Sequence, residues 1–159
     1  MSPISELKFR FSDAVYAIGT TPKSLRKWLQ AGQAARSNDE ERKGWHSFDF
    51  VDIALLAVMR KCVDYGLPVE AAKAVAVEQL KVFGPLLGYK NTPSDALVAI
   101  WMNRVLLVWL DGETYQQKIV NNWSADHHPA ESYIVIDVAT LLRKAFDRAI
   151  ESASDGAAD

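Results

Sequence analysis

Apolar residues recur at helical spacing in the first third of the chain, between polar and charged positions. Leu25, Trp28 and Leu29 follow one another at intervals of three and four, a pattern that predicts one buried helix face. Thr21 is a favourable N-cap residue, and Pro22 suits the first helical position because its missing N–H has no partner there. The pattern therefore predicts a short helix over residues 22–31.

A second short helix is predicted directly upstream. Ser12 can cap a helix over residues 13–18, and Gly19 can close it in the left-handed conformation. Two helices joined by a tight turn are typical of a helix-turn-helix, whose second helix enters the major groove of DNA. The outward face of that second helix would carry Lys23, Ser24, Arg26 and Lys27. An ordinary helix pair with a solvated charged face fits the same spacing, so the spacing alone leaves both interpretations open.

Two longer helices are predicted next. Asp49 can cap a helix that continues to Tyr65 before Gly66, and Pro68 can open another that reaches about Phe83. Residues 33–46, between the second and third helices, are largely polar and charged. They predict an exposed hairpin or loop, which would be either a DNA-contacting wing or a charged loop without a partner.

The pattern changes after residue 83. Glycine and proline interrupt residues 84–94, and the apolar runs 96–102 and 105–110 predict two short strands in a hairpin. Residues 113–123 fit either a helix or a further strand. Residues 133–136 predict another strand, which is followed by a helix over 138–150 that Asp137 can cap.

These elements predict an α+β chain in four parts. Residues 1–83 would form a helical domain, 84–94 a linker, 95–152 a small α+β module for dimerisation or effector binding, and 153–159 a disordered tail. Five of the aromatic side chains of the second half could line a ligand pocket, although aromatic residues at strand spacing more often belong to a core; they are Trp101, Trp109, Tyr115, Trp123 and Tyr133.

Charge supports this division. The net charge is −2, yet residues 1–83 carry 12 Lys and Arg against 10 Asp and Glu, whereas residues 84–159 carry 6 against 10. A basic part beside an acidic part is consistent with nucleic-acid binding by the first half. Residues 1–11 lack the apolar core of a signal peptide, and no run approaches the length of a membrane span, so a cytoplasmic location is expected.

A series of short motifs runs through residues 9–83. Its first half reads Gly19-Thr20-Thr21, Ser24-Leu25-Arg26, Trp28 and Gly32, and its second half reads Gly44-Trp45-His46-Ser47-Phe48-Asp49-Phe50-Val51-Asp52. In order and separation, these motifs resemble the winged helix-turn-helix domain of the mercury-resistance regulator (MerR) family. The resemblance implies DNA contacts from ten residues: Thr21, Lys23, Ser24, Arg26 and Lys27 on the recognition helix, and Arg36, Arg42, Lys43, Trp45 and His46 on the wing.

The chain departs from that family in two places. Histidine stands at position 46, where the family has a wing arginine, and His46 is mostly neutral at physiological pH, so weaker or pH-sensitive wing contacts are expected. The long pairing helix of the family would begin near residue 84, where Gly84 and Pro85 interrupt any helix. The sequence therefore predicts a homodimer formed through the C-terminal module instead of a long coiled coil.

The sequence contains few of the residue patterns that are typical of catalytic or metal-binding sites. Cys62 is the only cysteine, and Asp126-His127-His128 is an isolated fragment of a metal site. No phosphate-binding loop or nucleophile–base arrangement is present in the sequence, so neither an enzymatic activity nor a cofactor is expected.

The leading hypothesis is a sequence-specific DNA-binding transcription regulator, acting on double-stranded DNA and responding to an unidentified small-molecule or protein effector. The alternative is a protein-interaction or phage-type architectural adaptor that binds DNA weakly.

Overall fold

The computed structural model describes residues 7–36, 47–83, 102–124, 126 and 129–158. Within these described residues, five helices come first, followed by three strands and a last helix, which confirms the predicted α+β class. They are α1 (Phe11–Ile18), α2 (Pro22–Gln30), α3 (Phe50–Asp64), α4 (Val69–Glu78), α5 (Leu80–Phe83), β1 (Arg104–Asp111), β2 (Thr114–Asn121), β3 (Ile134–Ile136) and α6 (Val138–Ala158).

The first two helices form the predicted pair. Gly19 closes α1 with a φ of 68°, and α2 begins at Pro22 with Thr21 as its N-cap. The start of α1 differs from the prediction, since Arg10 and not Ser12 is its N-cap. The reason is Asp13, whose buried carboxylate accepts a hydrogen bond of 2.8 Å from the backbone N–H of Arg10.

Helix α3 is the central element of the core. Asp49 and Asp52 form a capping box at its start, as each side chain accepts a hydrogen bond from the backbone N–H of the other residue. Every residue from Phe50 to Met59 is buried. Neighbours on several sides explain this burial, because α1, α4 and α6 all pack against α3.

The helix predicted from Pro68 to Phe83 is divided at Gln79 into α4 and α5. The Gln79 amide is buried and donates hydrogen bonds to the carbonyl of Val75, at 3.2 Å, and to the side-chain oxygen of Gln117 on β2, at 2.7 Å. Gln79 thus joins the end of α4 to the sheet.

The three strands form an antiparallel sheet in the order β2-β1-β3. Residues 114–121, which fitted either a helix or a strand, form β2, and Gly112 supports the turn that precedes it with a φ of 64°. The predicted hairpin between runs 96–102 and 105–110 stays a prediction, because residues 84–101, which include most of its first strand, lie outside the described part of the chain. Within that part, β1 pairs with β2 and β3.

Helix α6 begins where predicted, since the carboxylate of Asp137 accepts hydrogen bonds from the backbone N–H and the hydroxyl of Thr140. It then continues to Ala158, through residues assigned above to a disordered tail. The extension has partners on α1: Glu151 accepts a hydrogen bond from the Tyr16 hydroxyl, and Ser152 donates one to Asp13.

One hydrophobic core joins the N-terminal helices to α6. The ring of Phe50 on α3 lies edge-to-face against the rings of both Phe9 and Phe146 of α6, with centroid separations of 5.0 and 4.6 Å. The last helix of the predicted C-terminal module therefore packs on the predicted DNA-binding domain. Among the described residues, no helix combines the length and apolarity required to cross a membrane.

Candidate nucleic-acid interface

Helix α2 presents a cationic face opposite its buried face. Leu25, Trp28 and Leu29 are buried as predicted, whereas Lys23, Arg26 and Lys27 are exposed. No acidic residue occurs within α2 to neutralise them. The exposed face of this helix is therefore uniformly positive.

The start of α2 is fixed by two neighbouring hydroxyl groups. The Thr21 oxygen accepts the backbone N–H of Ser24 at 3.1 Å, and the Thr21 hydroxyl donates to the Ser24 hydroxyl oxygen at 3.0 Å. Thr21 is thus engaged as a cap, which orients Ser24 beside the exposed N-terminal turn of the helix.

Arg26 is positioned by α1. Its guanidinium carbon lies 5.5 Å from the centroid of the Phe11 ring, within the range of a cation–π contact. The contact holds the exposed charge of Arg26 on α2 beside the first turn of α1.

The end of α2 is tied to α4 by a contact that the sequence did not reveal. Gly32 has a φ of 67°, and its carbonyl accepts a hydrogen bond of 2.8 Å from the Lys73 side chain. The two residues are distant in sequence, so no local pattern could have indicated the pair. Lys73 braces the turn that leads from α2 towards the predicted wing.

Arg36 requires a correction. The sequence placed it among the exposed wing contacts, but its side chain is only 1% exposed. Its guanidinium donates hydrogen bonds to the carbonyl of Ser47 and to the Asp52 carboxylate, the latter at 3.4 Å, and stacks on Phe48 with 4.4 Å between the guanidinium carbon and the ring centroid. A buried, paired guanidinium is not available to a phosphate, so Arg36 has a structural role here.

The segment before α1 and the segment after the predicted wing meet at a two-residue bridge, which we call the wing base. Phe9 and Phe48 exchange backbone hydrogen bonds of 2.7 and 2.9 Å. The remaining wing residues selected from the sequence, Arg42, Lys43, Trp45 and His46, lie outside the described residues.

Lys8 is an exposed cation beside the wing base that the sequence analysis did not select. The alternation of basic and aromatic residues over 8–11 is the signal that could have identified it, because Phe9 is buried in an extended segment and its neighbours point outward.

A buried carboxylate links α1 to α6 behind this interface. The Asp13 side chain accepts hydrogen bonds from the Ser152 hydroxyl at 2.6 Å and from the Arg10 side chain at 3.3 Å. Burial by itself would raise the pKa of Asp13, but the hydrogen bonds from Arg10 and Ser152 outweigh it and hold that pKa below the ordinary value of 3.8. The carboxylate is therefore charged at neutral pH.

Gly156 provides the space for the Arg10 guanidinium. A Cβ atom at position 156 would lie 1.8 Å from the Arg10 terminal nitrogen Nη2, so any other residue there would require the Arg10 side chain to move. The contact brings the last turns of α6 against the N-cap of α1.

Metal-ligand chemistry is sparse in the described part of the chain, where no group of three or more His, Cys, Asp and Glu side chains is placed to hold a metal. Burial raises the pKa of the Cys62 thiol to about 12, so the thiol stays protonated. His127 and His128 lie outside the described residues.

Residues 9–79, which span α1 to α4, match the sequence model of the family described as MerR HTH family regulatory protein. No curated protein matches the chain. The family match confirms the resemblance inferred from the motifs and indicates a DNA-binding transcription regulator.

Proposed function

Because residues 9–79 carry a MerR-type helix-turn-helix, we propose that this protein is a sequence-specific transcription regulator that reads the major groove with α2. The observation that carries the proposal is the positive face formed by Lys23, Arg26 and Lys27 on a helix whose start is fixed by Thr21. The proposal includes no catalytic activity, and it locates the protein in the cytoplasm with its DNA.

The residues of α2 would divide the work of recognition. Lys23 and Ser24, in the first turn, are closest to where a recognition helix meets base edges, and Lys27 lies one turn later. Arg26, held over Phe11, would contact a phosphate and set the position of the helix on the duplex.

The wing would add phosphate contacts on the far side of the motif. Arg42, Lys43, Trp45 and His46 precede the strand partner in the wing base, and Lys8 lies next to Phe9 in that bridge. Basic side chains near the wing base would extend the positive surface of α2.

Selection of bound sequences from random duplexes, followed by alanine variants of α2, tests this function. We expect Arg26→Ala to weaken binding to all duplexes and to reduce the slope of log affinity against log salt by about 1, because a phosphate contact is lost. We expect Lys23→Ala to cost about 1–3 kcal/mol at one base position if Lys23 contacts a base.

Arg143→Ala is the matched control, because Arg143 is an exposed cation on α6, away from both α2 and the proposed pairing strand β2. Unchanged affinity in both α2 variants would contradict the recognition-helix assignment.

A weak-binding adaptor is the second candidate function. The observation that favours it is the exposed apolar surface of the sheet, where Leu110 and Ile119 are 51% and 39% exposed. The selection distinguishes the two functions, because an adaptor would enrich no sequence and would bind DNA only at low salt.

We further propose that the regulator acts as a homodimer formed through the C-terminal module. The apolar side of α6 is occupied by α1 and α3, which leaves β2 as the better pairing element. In the described part of the chain, β2 pairs on one side only, with β1. Two copies joined there by a two-fold axis would require inverted half-sites in the DNA.

A further inference from the structure

A cleft of about 220 Å³ lies between the end of α1, the second half of α3 and the first half of α6. Four cationic side chains border it: Arg60, Lys61, Lys144 and Arg148. Asp64 is the one carboxylate among the lining residues, and it is ion-paired with Arg60 at 3.2 Å. Once that pair is set aside, the cleft still holds three positive charges.

A second compartment of about 250 Å³ continues from the first. The two share Lys61, Leu141 and Lys144, and the second is also lined by Val135 and Ile136 at the sheet end and by Tyr65 of the α3 C-cap. Asp137 and Thr140 line it as well, and there the Asp137 carboxylate accepts hydrogen bonds from the backbone N–H and the hydroxyl of Thr140. The groove formed by the two adjoining compartments therefore has a cationic end and an end with apolar walls beside this helix cap, with the two lysines at the junction.

Helix ends explain only part of this charge. Lys61 is in the last turn of α3, where a cation is favoured by the helix dipole, and Arg148 lies near Gly19 at the end of α1. Lys144, by contrast, is in the first half of α6, far from the carbonyl end of its own helix. Lys144 therefore adds a third positive charge to those of Lys61 and Arg148 in the cleft, and a bound anion would neutralise part of this charge.

We propose that this groove binds a small organic anion, in which a phosphate or carboxylate group adjoins an apolar or aromatic body. The cationic end would form charge-assisted hydrogen bonds with the acidic group, and the apolar end would bury the body. The cations at that end come from α3 and α6, so the ligand would bridge the helix-turn-helix domain and the C-terminal helix.

The groove is separate from the proposed DNA interface. Its lining comes from α1, α3, α6 and the region around β3, and no residue of α2 is among it. A phosphodiester backbone could supply the same anionic chemistry, but it has no apolar body for the second compartment. The inference therefore goes beyond the proposed DNA-binding function and does not depend on it.

Calorimetric titration of the full chain with phenyl phosphate and with inorganic phosphate tests the site. We expect phenyl phosphate to bind more tightly, because only it fills the apolar compartment. Lys144→Ala should weaken phenyl phosphate binding about tenfold, which corresponds to the loss of one charge-assisted hydrogen bond.

The neighbouring residue supplies the control. Arg143 is exposed on α6 but lines neither compartment, so Arg143→Ala should leave the affinity unchanged while removing the same charge. Both side chains are exposed, and thermal melting verifies that both variants are folded.

Three results would overturn the inference: no binding of phenyl phosphate at millimolar concentration, equal loss in the two variants, or equal affinity for the two phosphates. If Lys144→Ala instead weakened duplex DNA binding while phenyl phosphate failed to bind, the cleft would belong to the DNA interface. Failure of the DNA-binding proposal would show only in the duplex measurements.

Discussion

The buried guanidinium of Arg36 connects the two ends of the predicted wing. Arg36 is the last described residue in the first part of the wing, and Ser47 and Phe48, which the guanidinium contacts, directly follow the wing. The same group reaches Asp52 in the capping box of α3. One side chain therefore stabilises both the wing attachment and the start of the central helix.

We predict that Arg36→Ala lowers the free energy of unfolding by about 3–5 kcal/mol, because it leaves the buried Asp52 carboxylate without this ion-pair partner. Arg36→Lys should be intermediate, since a lysine keeps the charge but not the flat stack on Phe48. Urea titration followed by circular dichroism measures both. Arg26→Ala is the exposed control and should change stability by less than about 0.5 kcal/mol; equal stability of the two alanine variants would contradict the structural role.

Asp13 predicts a specific dependence of stability on acid. Its pKa is lower in the folded protein than the ordinary 3.8, so its carboxylate binds protons more weakly when folded. The resulting stabilisation is complete above pH 3.8 and is lost as the pH falls below that value towards the folded pKa.

Removal of the Ser152 hydroxyl should raise the pKa of Asp13 and shift this acid-induced loss to higher pH, because Ser152 donates one of its hydrogen bonds. Unfolding free energies of the wild type and Ser152→Ala, measured by urea titration from neutral pH into the acid range, provide the comparison. Ser154→Ala, an exposed serine of the same helix, is the control. Identical pH profiles for wild type and Ser152→Ala would argue against the network.

At the scale of the elements, α6 completes the helix-turn-helix domain. Phe146 packs its ring against Phe50, Glu151 and Ser152 contact α1, and Gly156 lies beside the side chain of Arg10 at the α1 N-cap. Helix α6 thus packs against both α1 and α3 and covers part of the core of the helix-turn-helix domain.

We predict that Phe146→Ala destabilises the whole protein by about 3–5 kcal/mol, through the lost ring and the cavity it leaves. DNA affinity should fall at temperatures where the variant begins to unfold. Ile150→Ala, one turn later and 40% exposed, is the control and should have a much smaller effect. If Phe146→Ala lost structure only in the sheet, with α1 and α2 intact by NMR, the proposed support of the N-terminal domain would be wrong.

The elements that the sequence predicted well are those defined by local chemistry. The starts of α2, α3 and α6 follow from Thr21, Asp49 and Asp137, each of which caps its own helix. The ambiguous run 114–121 could not be assigned locally, because Tyr115 and Ile119 fit both spacings and pairing with β1 decides the conformation.

The predictions that failed concern contacts between distant residues. A charged residue in a polar stretch is ordinarily exposed, and Arg36 is buried only because folding brings Asp52 and Phe48 to it. The extension of α6 depends in the same way on α1, whose Tyr16 and Asp13 bind its small and acidic residues. Periodicity identifies a buried face but not the partner that buries it.

For the whole molecule, we predict a dimer that depends on β2. Ile119→Lys should convert the dimer to a monomer in analytical ultracentrifugation at tens of micromolar, because a charge on an exposed edge strand opposes strand pairing. Lys118→Ala, the adjacent exposed residue, should leave the mass unchanged. A monomeric wild type would contradict the proposed dimer and would mean that the protein binds DNA with a single recognition helix.

The contact of α6 with α1 also has a consequence during protein synthesis. Residues 19–137 separate the two helices, and a ribosome that adds about 5–20 residues per second needs on the order of ten seconds to make them. During that interval α1 and α3 lack the cover of Phe146, and Asp13 lacks the Ser152 hydroxyl. The DNA-binding helices are made first but reach their final stability only after α6 has left the ribosome, so the folding of the N-terminal domain is completed well after its own synthesis.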